Sequence, residues 1–354
     1  MPDWKYPSDL DAAIHLRTFV SAAQDPKSGG PAGLGTTYGP DSPHTVKSVE
    51  AFTFTPAASS FLLGTAKTAI AAEGLGTDPV PDLLVLSLSS FDYAGHAYGP
   101  YSAEMLDHVV QMDRALADFL QFLDKGAKIE GGLSSVVFAV TADHGVSPAP
   151  EDAIAYGLPG GRVDEEKVRT AVENTLRIRF GDMPCGWIAG KGKGFLLSEG
   201  WIYLNEDAVR FALSSGKAKS RAEIERAVVE ALRTTLLPGI YRAFAADDLL
   251  NGADESDMAR RVSRGVHPTV SGDIAVIQEP MFQFGETSAK YVTSHGTPYL
   301  YDAHVPLLIA GPGIEAGVYS DPVEIVDLAP TIAALLGIEP PSGADGHLLR
   351  AALR

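Results

Sequence analysis

Apolar and polar positions recur with different periods along the chain, and the periods divide it into elements. The run 83–88, LLVLSL, has the length and the leucine and valine content of a strand buried on both faces. Residues 133–142, LSSVVFAVTA, read as a second buried strand, rich in β-branched side chains. Between them Met105, Val109, Met112, Leu116, Phe119, Leu120 and Leu123 follow helical spacing, with Ser102 placed to cap the helix and Gly126 to stop it. Strand, helix and strand at this spacing make a right-handed crossover and imply a parallel sheet. Upstream, Thr55 and Pro56 open another helix, with Ala58, Leu62, Thr65, Ala66 and Ala69 on a small-residue face and Gly74 and Gly76 at its end.

The pattern weakens at both sides of this unit. Residues 1–50 show little periodicity: 10–22 predict a short helix, and 26–43, rich in Gly, Pro, Ser and Thr, predict a loop. The stretch 150–270 changes character, with helices at 164–180 and 220–237, a strand at 195–204 and a short strand at 239–244. Its edges are a turn region at 148–161 and a polar stretch at 251–268. Strand patterns return at 272–278 and 305–309, and a helix follows at 331–336. The class is therefore α/β: a doubly wound, mostly parallel sheet built from 1–150 and 271–354, with an α+β subdomain, 151–270, inserted between them.

Composition narrows the function classes. The 354 residues are 45% apolar and 21% charged, ordinary for a globular protein with a sizeable core. A net charge of -17 argues against nucleic acid or an anionic membrane as a standing partner. It does not argue against a phosphorylated substrate, because bound cations reverse the local field. The single cysteine, Cys185, allows no intrachain disulfide and no thiolate metal cluster, and reads as a small apolar residue. No window approaches the apolar length that spans a bilayer. The opening residues MPDWKYPSDLD are polar and acidic, unlike a secretory signal. The expectation is either a cytoplasmic protein or a chain that lacks its true beginning.

Three short motifs carry the candidate chemistry. Asp92 lies four residues before His96; Asp143, His144 and Gly145 are consecutive; His295 precedes Gly296. Two of the three directly follow strand patterns, and strand ends on one side of a parallel sheet converge on one crevice. Carboxylates and imidazoles gathered there suit a divalent metal. Alone, each motif reads more simply as a turn or a helix cap; the combination, each part in a glycine-rich context, favours the metal. Asp302 and His304 are candidates to orient the ligands. Other features point elsewhere. Lys191 and Lys193 sit in a Gly-Lys-Gly-Lys-Gly run that matches no complete phosphate loop and reads as a solvated hairpin. Arg260, Arg261 and Arg264 read as surface charge, and Trp187, Trp201 and Tyr241 as packing within the insert. His108 reads as facing solvent or a neighbouring element.

The segments SSFDYAGHAYGP, TADHG and SHGTPYLYDAHVPLLIAGPGI closely resemble the alkaline phosphatase superfamily. The branch they resemble is the type I phosphodiesterase/nucleotide pyrophosphatase group with its phosphate-irrepressible alkaline phosphatases. The resemblance runs from about Thr55 to the C-terminus. It implies a doubly wound α/β fold with two Zn2+ ions, one held by Asp92, His96 and His295. Asp143 and His144 would hold the second, together with another Asp and a Thr or Ser nucleophile. The departure from the family pattern lies upstream of Asp92. The family's N-terminal strand ending in Asp, its nucleophile at a helix start and its further phosphate-contacting residues have no recognisable counterpart there. Thr55-Pro56 superficially matches a nucleophile at a helix start, but it falls where the family has an ordinary helix.

The resemblance thus implies a zinc-dependent phosphoric ester hydrolase, a phosphatase or phosphodiesterase, with one complete and one partial zinc site. Without the nucleophile segment this chain alone is expected to be weakly active or inactive. Its implied partners are a phosphorylated small-molecule substrate and a missing N-terminal segment or partner chain, with no nucleic acid and no membrane. Full-length relatives are usually periplasmic or extracellular. The alternative is a non-catalytic metal-binding or interaction protein derived from such an enzyme. A sulfatase-like or cofactor-independent phosphoglycerate mutase-like reading is weaker, since no Cys-x-Pro-x-Arg motif surrounds Cys185 and no Ser nucleophile is found.

Overall fold

The helices that the sequence predicts within the described residues form, and a further short one carries Asp92 and His96. The computed structural model describes residues 46, 48–190, 200–285 and 291–354. The readings made for 10–22, 26–43, Lys191, Lys193 and the first part of 195–204 lie outside the described residues. Helix α1, Pro56–Glu73, starts on Pro56 and ends at Gly74, whose φ of 67° is the left-handed conformation that closes a helix. Helix α2, Ser90–Tyr98, is short and carries Asp92 and His96. Helix α3, Ala103–Lys125, is capped by the Ser102 hydroxyl, which accepts from the Met105 amide. Helix α4, Glu165–Phe180, and helix α5, Arg221–Thr234, are capped in the same way by Asp164 and Ser220. Helix α6, Leu328–Leu336, ends at Gly337. None of the described helices is long and apolar enough to cross a membrane.

Seven strands make three sheets among the described residues. Strand β1, Phe138–Thr141, pairs antiparallel with β7, Leu307–Ala310, in the register Phe138 to Ala310 and Val140 to Leu308. Strands β2, Gly161–Val163, and β6, Phe282–Phe284, pair in parallel. Strand β5, Ile274–Gln278, lies between β3, Trp201–Ile202, and β4, Ile240–Ala245, antiparallel to both. The strand that returns after the polar stretch therefore joins the ladder of the middle segment, and all five of its residues are buried.

Two of the four apolar clusters among the described residues follow from this order. Val168, Val172 and Leu176 of α4 meet Ile224, Ala227 and Val228 of α5 over Ile274 and Val276, with Trp187 fully buried beside them. The side chains recur at the three- and four-residue steps that line one helix face. In the second core Leu63, Ala66 and Ile70 of α1 pack on Phe119 and Leu123 of α3. Leu86, Leu88, Val136 and Phe138 lie partly buried against that helix pair.

Residues 83–88 depart from the expectation. They pair with no described strand, so the parallel ladder that the crossover predicts between 83–88 and 133–142 does not form among the described residues. Nor are they buried on both faces: Leu83 is 63% exposed and Val85 81%. A continuous apolar run reports only that its surface is to be covered. The helix pair covers Leu86 and Leu88, and nothing described covers Leu83 and Val85. Of 133–142, only Phe138–Thr141 is strand; Gly132–Ser135 winds into a 3-10 turn. His108 is completely buried on α3 rather than facing solvent. Its Nε2 lies 3.4 Å from Ser90 Oγ on α2, which is 2.5 Å from Ser59 Oγ on α1, and burial pushes the imidazole down to about 4.

Candidate metal centre

Asp92 and His96 stand one helical turn apart on α2, so both side chains leave the same face. The sequence pattern predicts no helix there; the structure makes one, and its N-terminal turn carries the carboxylate. His96 Nε2 lies 3.5 Å from Asp92 Oδ2. His144 follows β1, and its Nε2 lies 3.9 Å from Asp92 Oδ1 and 3.6 Å from Asp143 Oδ2. His295 Nε2 lies 3.7 Å from Asp92 Oδ1. The imidazoles of His144 and His295 stack with centroids 3.3 Å apart, and His96 lies 4.9 Å from His295. All five sequence candidates thus converge. The tightest group is Asp92, His144 and His295, whose ligand atoms lie within 4.8 Å of one another. It draws one residue from each motif. Asp143 stands at the rim, with its side chain 89% exposed.

The donor set fits a cation. His96 Nδ1 lies 2.8 Å from the Thr293 carbonyl, and His144 Nδ1 lies 2.9 Å from the Gly145 carbonyl. A carbonyl only accepts, so each Nδ1 carries the hydrogen and each Nε2 presents its lone pair to the cluster. Burial, with His144 and His96 close by, pushes the His295 imidazole below its ordinary value, which also favours a neutral ring. With the rings neutral, lone pairs and carboxylate oxygens face one another, an arrangement that a positive ion satisfies.

A buried hydrogen-bond junction holds the three segments in place. The Gln283 amide on β6 donates to Ser147 Oγ at 2.6 Å and to the Ser294 carbonyl at 3.3 Å. Thr293 Oγ1 donates to the Ser147 carbonyl at 2.9 Å. The Val292 amide donates to the His96 carbonyl at 2.8 Å, and Arg162 on β2 donates to the Val292 carbonyl at 2.8 Å while forking onto Glu151. The segment before His295 is thereby tied to the His144 loop and to the end of α2. Gly145 is needed for a steric reason: a Cβ there would fall 2.1 Å from the Tyr301 carbonyl. Its amide donates to the Asp302 carbonyl at 2.7 Å.

The remaining candidates separate cleanly. Asp302 is buried, and its Oδ2 accepts from the Thr297 amide at 2.8 Å; burial raises its carboxyl above the usual range. His304 is exposed. Thr55 is buried and donates to the Phe52 carbonyl at 2.8 Å, so its hydroxyl is no accessible nucleophile. Arg260 and Arg264 pair with Asp257 and Glu324 on the surface, and Arg261 donates to the Pro298 carbonyl. Trp187 packs in the α4–α5 core, whereas Tyr241 is exposed and so is Cys185. Sequence reasoning missed Gln283, Ser147, Thr293 and Arg162. Ser147 and Thr293 lie within two or three residues of His144 and His295, a usable signal; Gln283 and Arg162 have none.

Fold and cluster together define an α/β protein with a carboxylate–imidazole centre suited to a metal. The family described as Type I phosphodiesterase / nucleotide pyrophosphatase matches residues 33–298, and the chain belongs to this family, a branch of the alkaline phosphatase superfamily. It is 30% identical over 294 residues to "Alkaline phosphatase PhoV" of Synechococcus elongatus, covering 83% of this chain and 49% of that one. It is 29% identical to "Alkaline phosphatase PafA" of Elizabethkingia meningoseptica, over 82% of this chain and 50% of the relative. The wild-type PafA crystal structure superposes with a TM-score of 0.77 at 25% identity, over 99% of this chain and 63% of that one. The α/β fold of the alkaline phosphatase type is shared. The chain spans about half the length of the curated relatives it matches.

Proposed function

We propose that the chain is the metal-binding part of a zinc-dependent phosphoric ester hydrolase, a phosphatase or phosphodiesterase. One zinc is assigned to Asp92, His96 and His295, the second to Asp143 and His144. The observation that supports a metal centre is the meeting of Asp92, His144 and His295 from three distant segments of chain; the division of the ligands between two ions rests on the family resemblance and cuts across that group. The alkaline phosphatases among the relatives support the reaction class. Bound divalent ions would neutralise a phosphoryl group and activate an oxygen nucleophile. The chain's own residues do the arranging. Asp92 places a carboxylate at the centre, Thr293 and Gly145 fix the tautomers of His96 and His144, and stacking of His144 on His295 sets the direction of both rings. No nucleophile is assigned among the described residues, and Thr55, enclosed and donating to the Phe52 carbonyl, is not one.

Zinc content by plasma emission and hydrolysis of p-nitrophenyl phosphate and bis-p-nitrophenyl phosphate test the reading. The expectation is zinc retained by the chain, lost in Asp92→Asn, with weak turnover of either ester. Hydrolysis that survives both Asp92→Asn and His295→Ala would sink it.

A further inference from the structure

Helix α2 presents Asp92 and His96 to the candidate centre, and its inner side is built largely from small residues. Ala94 and Ala97 are completely buried, in a cluster with Phe54 and Met105. Methyl groups make shallow ridges, which set the rotation of a helix about its own axis only loosely. The first turn of α2 holds a polar exception. Ser90 is buried, and its Oγ lies 2.5 Å from Ser59 Oγ on α1 and 3.4 Å from His108 Nε2 on α3. The same imidazole meets the Phe91 ring edge to face, with centroids 5.3 Å apart. His108 therefore contacts both residues that precede Asp92. Its ring is completely buried, and burial lowers it to about 4, so it is neutral near pH 7. The two hydroxyls and the imidazole form one bridge across three helices, in which each hydroxyl can donate once and still accept.

We propose that His108 is a positioning residue for the metal centre: through Ser90 it fixes the rotation of α2, and so the direction of Asp92 and His96. The inference rests on the reading of Asp92 and His96 as metal ligands. Two residues of helix turn through about 200°, so Ser90 and Asp92 stand on opposite sides of α2. A buried anchor on one side therefore sets where the carboxylate on the other side points. His96 is one turn beyond Asp92 and moves with it. His144 and His295 come from other segments, so any rotation of α2 changes the distance from Asp92 to both of them. Packing alone does not call for the bridge. Apolar side chains of similar volume would join the three helices without removing two hydroxyls and a ring nitrogen from water. What a directional bridge adds is the choice of one arrangement over its neighbours.

The test uses the full chain, with zinc and its spectroscopic substitute Co2+ as probes. Zinc affinity is read by chelator competition, and the visible absorption band of Co2+ reports the ligand geometry. In the metal-free chain, the backbone amide resonances of residues 92–96 report α2 directly. His108→Leu and Ser90→Ala should each lower zinc affinity by about ten-fold, as expected for partners behind a ligand, and shift the Co2+ band. His108→Gln keeps a polar atom close to where Nε2 stands and should recover affinity to within about three-fold of the parent. Ile70→Val lies in the α1–α3 core, about three turns along α1 from Ser59. It should lower the melting temperature and leave affinity and band unchanged. The proposal falls if His108→Leu and Ser90→Ala bind zinc as the parent does with an unchanged band. It falls equally if His108→Gln fares no better than His108→Leu, or if Ile70→Val weakens zinc binding as much as they do. Should His108→Leu not fold, Ser90→Ala decides by the same criteria. A parent chain that binds no zinc removes the metal reading, and the metal-free amide resonances then decide the bridge. They move in His108→Leu and return in His108→Gln if it orients α2, and stay in place if it does not.

Discussion

Asp92 touches every imidazole of the centre, at 3.5, 3.9 and 3.7 Å from His96, His144 and His295. Replacing it with asparagine keeps the shape and removes the charge that balances a cation. Zinc affinity of Asp92→Asn, measured by competition with a chromophoric chelator, should fall by about 100-fold or more, since even partners behind the ligands are worth ~10–100-fold. Gln283 acts from behind. Gln283→Leu leaves Ser147 Oγ and the Ser294 carbonyl without their shared donor in a buried place. The expected cost is about 1–3 kcal/mol in urea denaturation, together with a ~10-fold loss of zinc affinity. An unchanged affinity would show that the junction supports the fold and does not set the ligands. The metal candidates were legible because they sit in short local motifs. Gln283 was not, because its partner Ser147 is 136 positions away and nothing local marks either residue as half of a pair.

Helices α3, α4 and α5 were among the most readable elements, since an apolar period follows a capping residue in each. Ser102, Asp164 and Ser220 accept from the amides of Met105, Lys167 and Glu223, as their positions before apolar-periodic runs suggest. Strands were less readable, because leucine and valine in a row do not say what covers them, and residues 83–88 keep one side open. Charge buried on an element escapes the sequence altogether, as α5 shows. Glu225 is buried beside Asp273 and Asp247, and desolvation, reinforced by the Asp273 charge, pushes its carboxyl up to about 7, although Arg221 lies 3.4 Å away. The folded state therefore holds a proton that the unfolded chain releases near the ordinary value of 4.5. Its stabilising contribution is complete below that value and is lost as pH rises toward 7. Glu225→Gln should flatten this slope and raise the melting temperature at pH 8 by about 2–4 °C relative to the parent. Parallel melting curves of parent and variant from pH 5 to 8 would refute the assignment of the proton to this group.

The metal centre is assembled by the fold and not by any one segment. Asp92 and His96 come from α2, His144 from the loop after β1 and His295 from beyond β6, with the junction at Gln283 joining them. The unfolded chain separates these side chains widely, so zinc held as proposed would bind the native state in preference. A ligand at about 1,000 times its dissociation constant stabilises by about 4 kcal/mol, enough to raise the melting temperature by several degrees. Micromolar zinc should therefore raise the melting temperature, and excess EDTA should return it to the metal-free value. Asp92→Asn should melt at the same temperature with and without zinc. Val85→Lys, which touches no ligand, should keep the full increment. The chain's net charge of -17 draws in any divalent ion, so a calcium control is needed to separate the site from the general field. If calcium raises the melting point as much as zinc, or if Asp92→Asn keeps the zinc increment, stabilisation comes from bulk charge neutralisation and the imidazoles are not ligands. A zinc-specific increment erased by one carboxylate-to-amide exchange has no such origin, because the exchange alters the net charge by a single unit yet removes the carboxylate that lies within 3.9 Å of all three imidazoles.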